Sequence, residues 1–559
     1  MAAVVALFSF LHVVASLTIP NDHEPLRQRS TPTVTLDNAT VTGYNSGSIS
    51  YYLAELSSRR SRTGDLRFRL PESIDGYSED FDATSYSPAC AQQSVSVPLP
   101  SGIISEVTDY IVDTLYADVF PDSEDCKSLS QRGRARDGNR NVESARPSSN
   151  SRKWIFGGGF EFGDPSLYDG GIIVQRSIDL GIPLIYVSIN YRLSTFGFLA
   201  SQEVMDAGVG NLGLQDQRES FRWVQNYISA FGGDPDKVTI WGQSAGAISV
   251  ALQMLTNDGD TEGLFRAAFM QSGAPIPVGN ITQGQKYYDQ IVEETGCSGA
   301  SDTLECLRGV SYDTLVDAMN NSPFFFAYQS LDLAWVPRVD GVFLTDLPTQ
   351  LVADGVIADI PFINGDNDDE GTLFSLSTLN ITTDDEFCDW VQEYFLPNAT
   401  EDQLDELLEL YPSTLADGSP YNTSDLDTLS TQYKRIASFQ GDAVFQSVRR
   451  YFLQHTADKQ NVWSYLNKRL KLVPYLGSFH GSDLLQVYGD EELTDYLVRF
   501  AVNLDPNGDT GIEWPQYTTA SPQMLMMQDD LFEPLTTTED TYRKAPMAYL
   551  NELALTNPL

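Results

Sequence analysis

The run Val238-Thr239-Ile240-Trp241-Gly242-Gln243-Ser244-Ala245-Gly246-Ala247-Ile248-Ser249-Val250-Ala251-Leu252 decides how this chain is read. It begins apolar and β-prone, ends apolar at helical density, and carries Gly-x-Ser-x-Gly between the two. Such a serine sits where a strand turns sharply into a helix, on a strained backbone that exposes its hydroxyl. Glycine suits positions 242 and 246 because strand and helix approach so closely there that a side chain would clash. Gly-x-Ser-x-Gly alone recurs by chance, so the strand before it and the helix after it carry the reading.

Around this turn, strand-like runs alternate with helical ones. Ile182-Pro183-Leu184-Ile185-Tyr186-Val187-Ser188-Ile189 reads as a strand, and Gln217-Arg218-Glu219-Ser220-Phe221-Arg222-Trp223-Val224 as a helix. From about Lys153 onward this alternation predicts an α/β fold with a mostly parallel central sheet flanked by helices. The second half is richer in helical pattern, as in Glu401-Asp402-Gln403-Leu404-Asp405-Glu406-Leu407-Leu408-Glu409-Leu410. No linker rich in Pro, Gly or Ser divides it, so residues 17–559 are expected to form a single domain.

In 559 residues, 77 Asp+Glu stand against 35 Lys+Arg, a net charge of −42, while 42% of residues are hydrophobic. The core is amply supplied, and the charge repels phosphate backbones and anionic membranes, which excludes nucleic acid as a partner. Residues 1–16, from Met1 to Ser16, form an apolar run too short to span a bilayer and ending in small residues, as in a secretory signal peptide. A secreted, extracellular protein follows. Six Asn-x-Ser/Thr sequons, at Asn38, Asn280, Asn320, Asn380, Asn398 and Asn422, suit that compartment. So do the five cysteines, of which Cys297 and Cys306 can close a small loop and Cys90 and Cys126 a larger one. Each closure is worth about 3–4 kcal/mol in the chain-entropy model, and Cys388 is left as an inert thiol.

One stretch breaks the pattern. From Lys127 to Lys153 there are eight basic residues and two acidic ones. Gln131-Arg132-Gly133-Arg134-Ala135-Arg136-Asp137-Gly138-Asn139-Arg140 has no apolar periodicity and is not expected to form a strand. It reads either as a basic loop or as a segment translated out of frame. Compatible codons shifted by one base can spell Leu-Ser-Val-Asn-Val-Val-Ala-Pro and then Leu-Pro-Val-Leu-Val-Val-Ile, two strands with a loop between them. Ser57-Ser58-Arg59-Arg60-Ser61-Arg62 raises the same question on a smaller scale.

A serine hydroxyl is a weak nucleophile until a base takes its proton, and histidine suits that task near neutrality. Of four histidines, His12 and His23 stand at the N-terminus, which leaves His455 and His480. His480 lies in the glycine-flanked Gly477-Ser478-Phe479-His480-Gly481-Ser482-Asp483, whereas His455 ends a helical run. Loops deliver catalytic groups, which favours His480. The base needs an acid between serine and histidine in the chain. Ile363-Asn364-Gly365-Asp366-Asn367-Asp368-Asp369-Glu370-Gly371 offers Asp366, Asp368, Asp369 and Glu370. Spacing leaves the choice open, and the three not used are expected in a solvated acidic loop. Charge on a substrate carbonyl oxygen needs preset N–H donors. Gly157-Gly158-Gly159, after Trp154-Ile155-Phe156, can turn backbone amides toward it, joined by that of Ala245.

With these motifs in place, the chain resembles the type-B carboxylesterase/lipase family of the α/β-hydrolase superfamily, and its secreted fungal branch in particular. The resemblance runs from Gly64 to the C-terminus and is densest at Phe156-Gly157-Gly158-Gly159-Phe160, Asn190-Tyr191-Arg192, Gly210-Asn211-Leu212-Gly213-Leu214, the Ser244 turn, Gln271-Ser272-Gly273 and Asp369-Glu370-Gly371-Thr372. It implies an α/β-hydrolase fold with large helical insertions, and a secreted serine hydrolase of small-molecule or lipid esters that needs neither metal nor cofactor. The acid is then Glu370, the base His480, the nucleophile Ser244, and the oxyanion donors Gly158, Gly159 and Ala245. The resemblance further implies that the Cys90–Cys126 loop is a lid, which makes transient contact with a lipid surface when it opens. Ile103-Ile104, Val107, Tyr110-Ile111 and Leu115 have the amphipathic spacing a lid needs, a spacing that equally suits a packed surface helix. No Trp occurs in that loop to hold a choline cation, which argues against a cholinesterase.

Three features depart from the family. Gln243 replaces its usual Glu, the segment before Gly64 lacks a Gly-Ile-Pro-type motif, and residues 127–153 lack the strand expected before the oxyanion loop. Outside the enzymes, the rival readings are a non-catalytic binding or adhesion protein and an inactive mis-spliced product. Acyl-chain preference and oligomeric state are encoded by no motif.

Overall fold

The computed structural model describes residues 31–53, 66–94, 122–124, 126, 129–134 and 149–558. The expected signal peptide, the amphipathic stretch from Ile103 to Leu115 and the arginine-rich stretch from Ser57 to Arg62 lie outside them.

Eleven strands build the central sheet. In chain order they are β1 (Tyr44–Ser46), β2 (Ile49–Tyr52), β3 (Leu129–Arg134), β4 (Ser149–Ile155), β5 (Leu184–Ile189), β6 (Gly233–Gln243), β7 (Ala267–Gln271), β8 (Phe362–Asn367), β9 (Val462–Lys468), β10 (Gln523–Gln528) and β11 (Leu535–Glu539). Across the sheet the order is β1-β2-β3-β5-β4-β6-β7-β8-β9-β10-β11. Strands β5 to β10 run parallel. Antiparallel pairs close both margins. Parallel strands covered by helices on both faces need continuous apolar sequence, and β5, Leu184-Ile185-Tyr186-Val187-Ser188-Ile189, is buried at every position.

Five helices frame the sheet: α1 (Gly170–Asp179), α2 (Leu212–Tyr227), α3 (Ala245–Leu255), α4 (Ser447–Thr456) and α5 (Glu492–Asn503). Helix α3 is buried along its whole length, as a mostly apolar helix must be, and its polar Ser249 and Gln253 are hydrogen-bonded to α2. Its neighbour α2 buries Leu212, Leu214, Phe221, Trp223 and Val224 and, with them, Asp216, Gln217, Arg218 and Ser220. At the middle of the sheet Trp154 on β4 lies beside Trp241 on β6, with ring centroids 4.3 Å apart. The helix read over Glu401–Leu410 forms with those bounds, started by a capping box between Thr400 and Gln403. Disulfides join Cys90 to Cys126 and Cys297 to Cys306. Cys388 is free and half-buried, and burial pushes its thiol above the usual range, away from the reactive thiolate.

The basic stretch corrects the sequence reading twice. Residues Leu129–Arg134 do form a strand, paired antiparallel with β5 and with β2. Residues Ser149–Ile155 supply the strand before the oxyanion loop that the sequence lacked as read, between β5 and β6. Ladder hydrogen bonds come from the backbone, and neighbours on both sides can impose a strand where side-chain pattern gives none.

The side chains still bear the consequence. Consecutive strand residues point to opposite faces, so Arg152 and Lys153 place one cation on each side of the sheet, both 0% exposed. None of the Arg152 guanidinium nitrogens, nor Lys153 Nζ, has a hydrogen-bond partner. Burial pushes both groups well below their ordinary pKa values. Aromatic faces compensate in part: Arg152 lies 5.7 Å from the Trp241 ring centre and Lys153 4.6 Å from that of Phe221, with Glu219 adding a weaker attraction on Lys153. The shifted-frame reading would put apolar residues here and remove this cost. Replacing Arg152 by Leu and Lys153 by Ile is therefore expected to raise the unfolding free energy by about 2–4 kcal/mol. Urea denaturation checks this; an unchanged or lower midpoint would mean that the aromatic faces already compensate the buried charge.

Candidate active site

Strand β6 ends at Gln243, α3 begins at Ala245, and Ser244 joins them with φ 55° and ψ −127°. A non-glycine residue in that region is strained and persists only where its surroundings fix it. Here they do. A Cβ on Gly242 would stand 2.4 Å from the Gly246 carbonyl, and one on Gly246 would stand 2.0 Å from the Ile155 oxygen of β4. The Ser244 amide donates to the Gln271 carbonyl at 2.8 Å, and the Ser244 carbonyl accepts from Ile248 at 2.9 Å. The hydroxyl is thus presented by backbone locked to two neighbouring strands.

The glycine loop that follows β4 passes directly over this turn. A Cβ on Gly157 would lie 2.9 Å from Ser244 Cβ. Gly158 and Gly159 adopt φ of 108° and 62°, open to glycine and strained for other residues. The Gly158 carbonyl accepts from the amides of Glu161 (2.9 Å) and Phe162 (3.1 Å), which fixes the loop's curl. As the first residue of α3, Ala245 has an N–H without an intrahelical acceptor. Gly158, Gly159 and Ala245 all line one cavity together with Ser244 and His480.

His480 reaches this cavity from the loop after β9, and Glu370 from the loop after β8. A bridge between Asp369 and Phe479 brings them together. Within it the Asp369 amide donates to the Ser478 carbonyl at 3.0 Å, and the Ser478 amide to Asp369 Oδ2 at 2.8 Å. One residue beyond that bridge on each loop, His480 Nδ1 lies 2.5 Å from Glu370 Oε2. The other ring nitrogen, Nε2, lies 3.3 Å from the Gln243 side-chain amide. With Nδ1–H directed at the carboxylate, Nε2 holds the lone pair a base needs. Phe374 and Phe445 flank the imidazole, with ring centres 5.1 and 4.5 Å away.

Glu370 is held as firmly. Its Oε1 accepts from Ser272 Oγ (2.7 Å), the Asn367 amide (2.6 Å) and Asn367 Nδ2 (3.3 Å). Asn367 Nδ2 also reaches Asp483 Oδ1 at 3.2 Å, whose Oδ2 accepts from Gln271 Nε2 (2.9 Å) and the Tyr465 hydroxyl (2.5 Å). Burial pushes the Asp483 carboxyl above its usual range, and the Glu370 charge adds to that effect.

The other acids of this loop do not form the solvated cluster expected of them; all are buried. Asp366 pairs with Arg449 at 2.7 Å, while Asp368 and Asp369 share Lys471 at 2.6 and 2.5 Å. A buried carboxylate must be paired, and each of these has found a cation from a distant part of the chain. His455 ends α4 with Nδ1 2.8 Å from the Tyr451 carbonyl and takes no part in the site. Sequence reading gave no role to Ser272, Asn367 or the two phenylalanines around His480. Their parts arise from contacts between segments far apart in the chain, which spacing does not encode.

The cavity is walled mainly by Phe162, Ile248, Phe325, Leu331, Leu333 and Phe374. Asp332 and Arg338 are the charged residues in its lining. Its apolar walls suit a hydrocarbon group presented to Ser244. Beneath the glycine loop the Cys90–Cys126 disulfide closes the neck of the loop between them. Beside it Arg67 pairs with Glu124 and donates to the carbonyls of Leu307 (3.0 Å) and Val310 (2.6 Å).

Comparison with known proteins agrees with this architecture. Residues 60–549 match the model of the carboxylesterase family. Lipase 4 of Diutina rugosa is 39% identical over 88% of this chain and 90% of its own length. Secreted triacylglycerol lipase LIP1 of Gibberella zeae is 40% identical over 87% of this chain and 84% of its own. Among solved structures, Aspergillus niger EstA superposes with a TM-score of 0.77 at 25% identity, covering 95% of this chain and 99% of that one. The chain belongs to the carboxylesterase family, and is thus a carboxylic-ester hydrolase built on the α/β-hydrolase fold.

Proposed function

We propose that this protein is a secreted hydrolase of lipid esters that works through an acyl-enzyme on Ser244, with His480 as base and Glu370 as the acid that orients it. The observation that carries the reading is the 2.5 Å contact between His480 Nδ1 and Glu370 Oε2, beside a serine held in a strand-to-helix turn. In the first half-reaction His480 Nε2 takes the Ser244 proton as Oγ attacks the ester carbonyl. The amides of Gly158, Gly159 and Ala245 hold the resulting oxyanion. Collapse of the tetrahedral intermediate expels the alcohol, which leaves with the proton from His480. Water then repeats the sequence on the acyl-enzyme and releases the acid. Glu370 keeps its charge throughout and stabilises the imidazolium.

The apolar cavity supports a long acyl group, as do relatives that are named lipases. Secretion is supported by relatives named as secreted and by the exposure of all six sequon asparagines. No helix among the described residues is long and apolar enough to cross a membrane.

Hydrolysis of p-nitrophenyl butyrate and palmitate by the secreted protein tests the reading. Ser244→Ala is expected to lower kcat by more than about 10⁴-fold, and equal turnover by variant and parent would refute it. The butyrate to palmitate ratio should favour the long chain if the cavity takes the acyl group. Gln243→Glu places a carboxylate next to His480 Nε2, where it favours the imidazolium and hinders uptake of the serine proton. The acid limb of kcat/KM is expected to move up by roughly one pH unit, an effect absent if Gln243 does not face the base in solution. Treatment of the secreted protein with an N-glycosidase should lower its apparent mass; an unchanged mass would show the sequons to be vacant.

A further inference from the structure

Immediately beyond the oxyanion glycines stands Glu161, a carboxylic acid that the mechanism does not use. Its side chain is fully buried. Oε2 accepts the Phe325 amide at 3.0 Å, while Oε1 has no protein partner. Backbone contacts fix the residue from three sides: its amide donates to Gly158, and its carbonyl accepts from the Gln93 amide and Ser194 Oγ, both at 3.0 Å. A Cβ on Gly159 would stand 3.8 Å from Glu161 Oε2 and 3.3 Å from the Phe325 ring. The carboxyl therefore sits within a few ångströms of an amide assigned to the oxyanion, bonded to a residue of the cavity wall.

Among the described residues no cation pairs with it, and the Phe325 amide is the single hydrogen bond to its carboxyl that favours a charge. Gln93, Ser194 and Phe325, packed against it from the other segments, are uncharged. Of the charged residues near them in sequence, Arg192 is committed to Asp216 at 2.7 Å, and Asp332 and Arg338 belong to the cavity lining. Burial holds the Glu161 carboxyl well above the usual carboxylate range. An ionised Glu161 would set a fixed negative charge beside the place where the oxyanion forms, and would oppose the transition state more than the bound ester.

We propose that Glu161 is a positioning residue whose carboxyl ties the oxyanion loop to the Phe325 wall of the cavity, and that a negative charge gained there as pH rises switches turnover off. The inference rests on the catalytic reading of Ser244, Gly158 and Gly159. It accounts for an acid in a place where a neutral amide would make the same hydrogen bond to Phe325. Tyr168, which also lines the cavity, is pushed above the ordinary range of a phenol by burial and would titrate later still.

The test compares the parent protein, Glu161→Gln and Glu161→Ala with p-nitrophenyl butyrate between about pH 6 and pH 10, with Ser244→Ala as the blank. The parent is expected to lose kcat at least tenfold through an alkaline limb, with KM little changed, whereas Glu161→Gln keeps its kcat to the end of the range. Glu161→Ala, lacking the bond to Phe325, is expected to lose kcat at every pH. Melting temperature gives a second readout that needs no turnover. A carboxyl with a raised pKa in the folded state contributes stability that is whole below the ordinary carboxylate range and is lost as pH rises through the folded value. The parent should therefore melt progressively lower than Glu161→Gln as pH increases, also when both carry Ser244→Ala. Superimposable profiles of parent and Glu161→Gln in both readouts would overturn the proposal. Absence of serine-dependent turnover in the parent would instead refute the catalytic reading, and the melting curves would still decide whether Glu161 is held uncharged. Should Glu161→Ala fail to fold, the comparison with the glutamine variant stands unaltered.

Discussion

The approach of one backbone to another at Gly246 is the constraint on which the rest of the site depends. At 2.0 Å from the Ile155 oxygen there is no room for even a methyl group, so α3 can leave β6 only at this angle. That angle gives Ser244 its strained φ and aims its hydroxyl out of the sheet. It also brings the start of α3 against the glycine loop, so the proposed nucleophile and the proposed oxyanion donors are set by one steric fact. The strain is stored where β4 and β7 can hold it, through close packing on one side and the Gln271 carbonyl on the other.

Base and acid come together by a different device. Two loops from adjacent parallel strands are stitched by main-chain hydrogen bonds at Asp369 and Phe479, and the functional pair follows one residue later on each. The Asp369 carboxylate caps Ser478 and is neutralised by Lys471, so an acid with no chemical role fixes the spacing of the two that have one. Burial of Asp366, Asp368 and Asp369 in one loop is tolerated because Arg449 and Lys471 arrive from elsewhere in the chain. An uncompensated carboxylate here would cost several kcal/mol.

Much of this was legible in the sequence. Local steric demands write themselves into local residues, and the glycines around Ser244 and the apolar runs of β5 and α3 were read correctly for that reason. The helix at Glu401–Leu410 was legible through its period. Long-range contacts were not. Spacing could not choose among Asp366, Asp368, Asp369 and Glu370, nor show that the three others are buried, because their partners Arg449 and Lys471 lie about a hundred residues away or nearer only in space. The strands at Leu129–Arg134 and Ser149–Ile155 defeated pattern reading because neighbouring strands impose them on a sequence that does not ask for them.

Helix α3 has a consequence that packing alone does not describe. Its peptide dipoles align along an apolar, fully buried cylinder whose first N–H is that of Ala245. The equivalent of about half a positive charge therefore ends where the proposed mechanism gathers negative charge, and water is too scarce along the helix to screen it. The segment that fills the core is in this sense also an electrode, with a field strongest in the first turn and fixed in direction before any ester arrives.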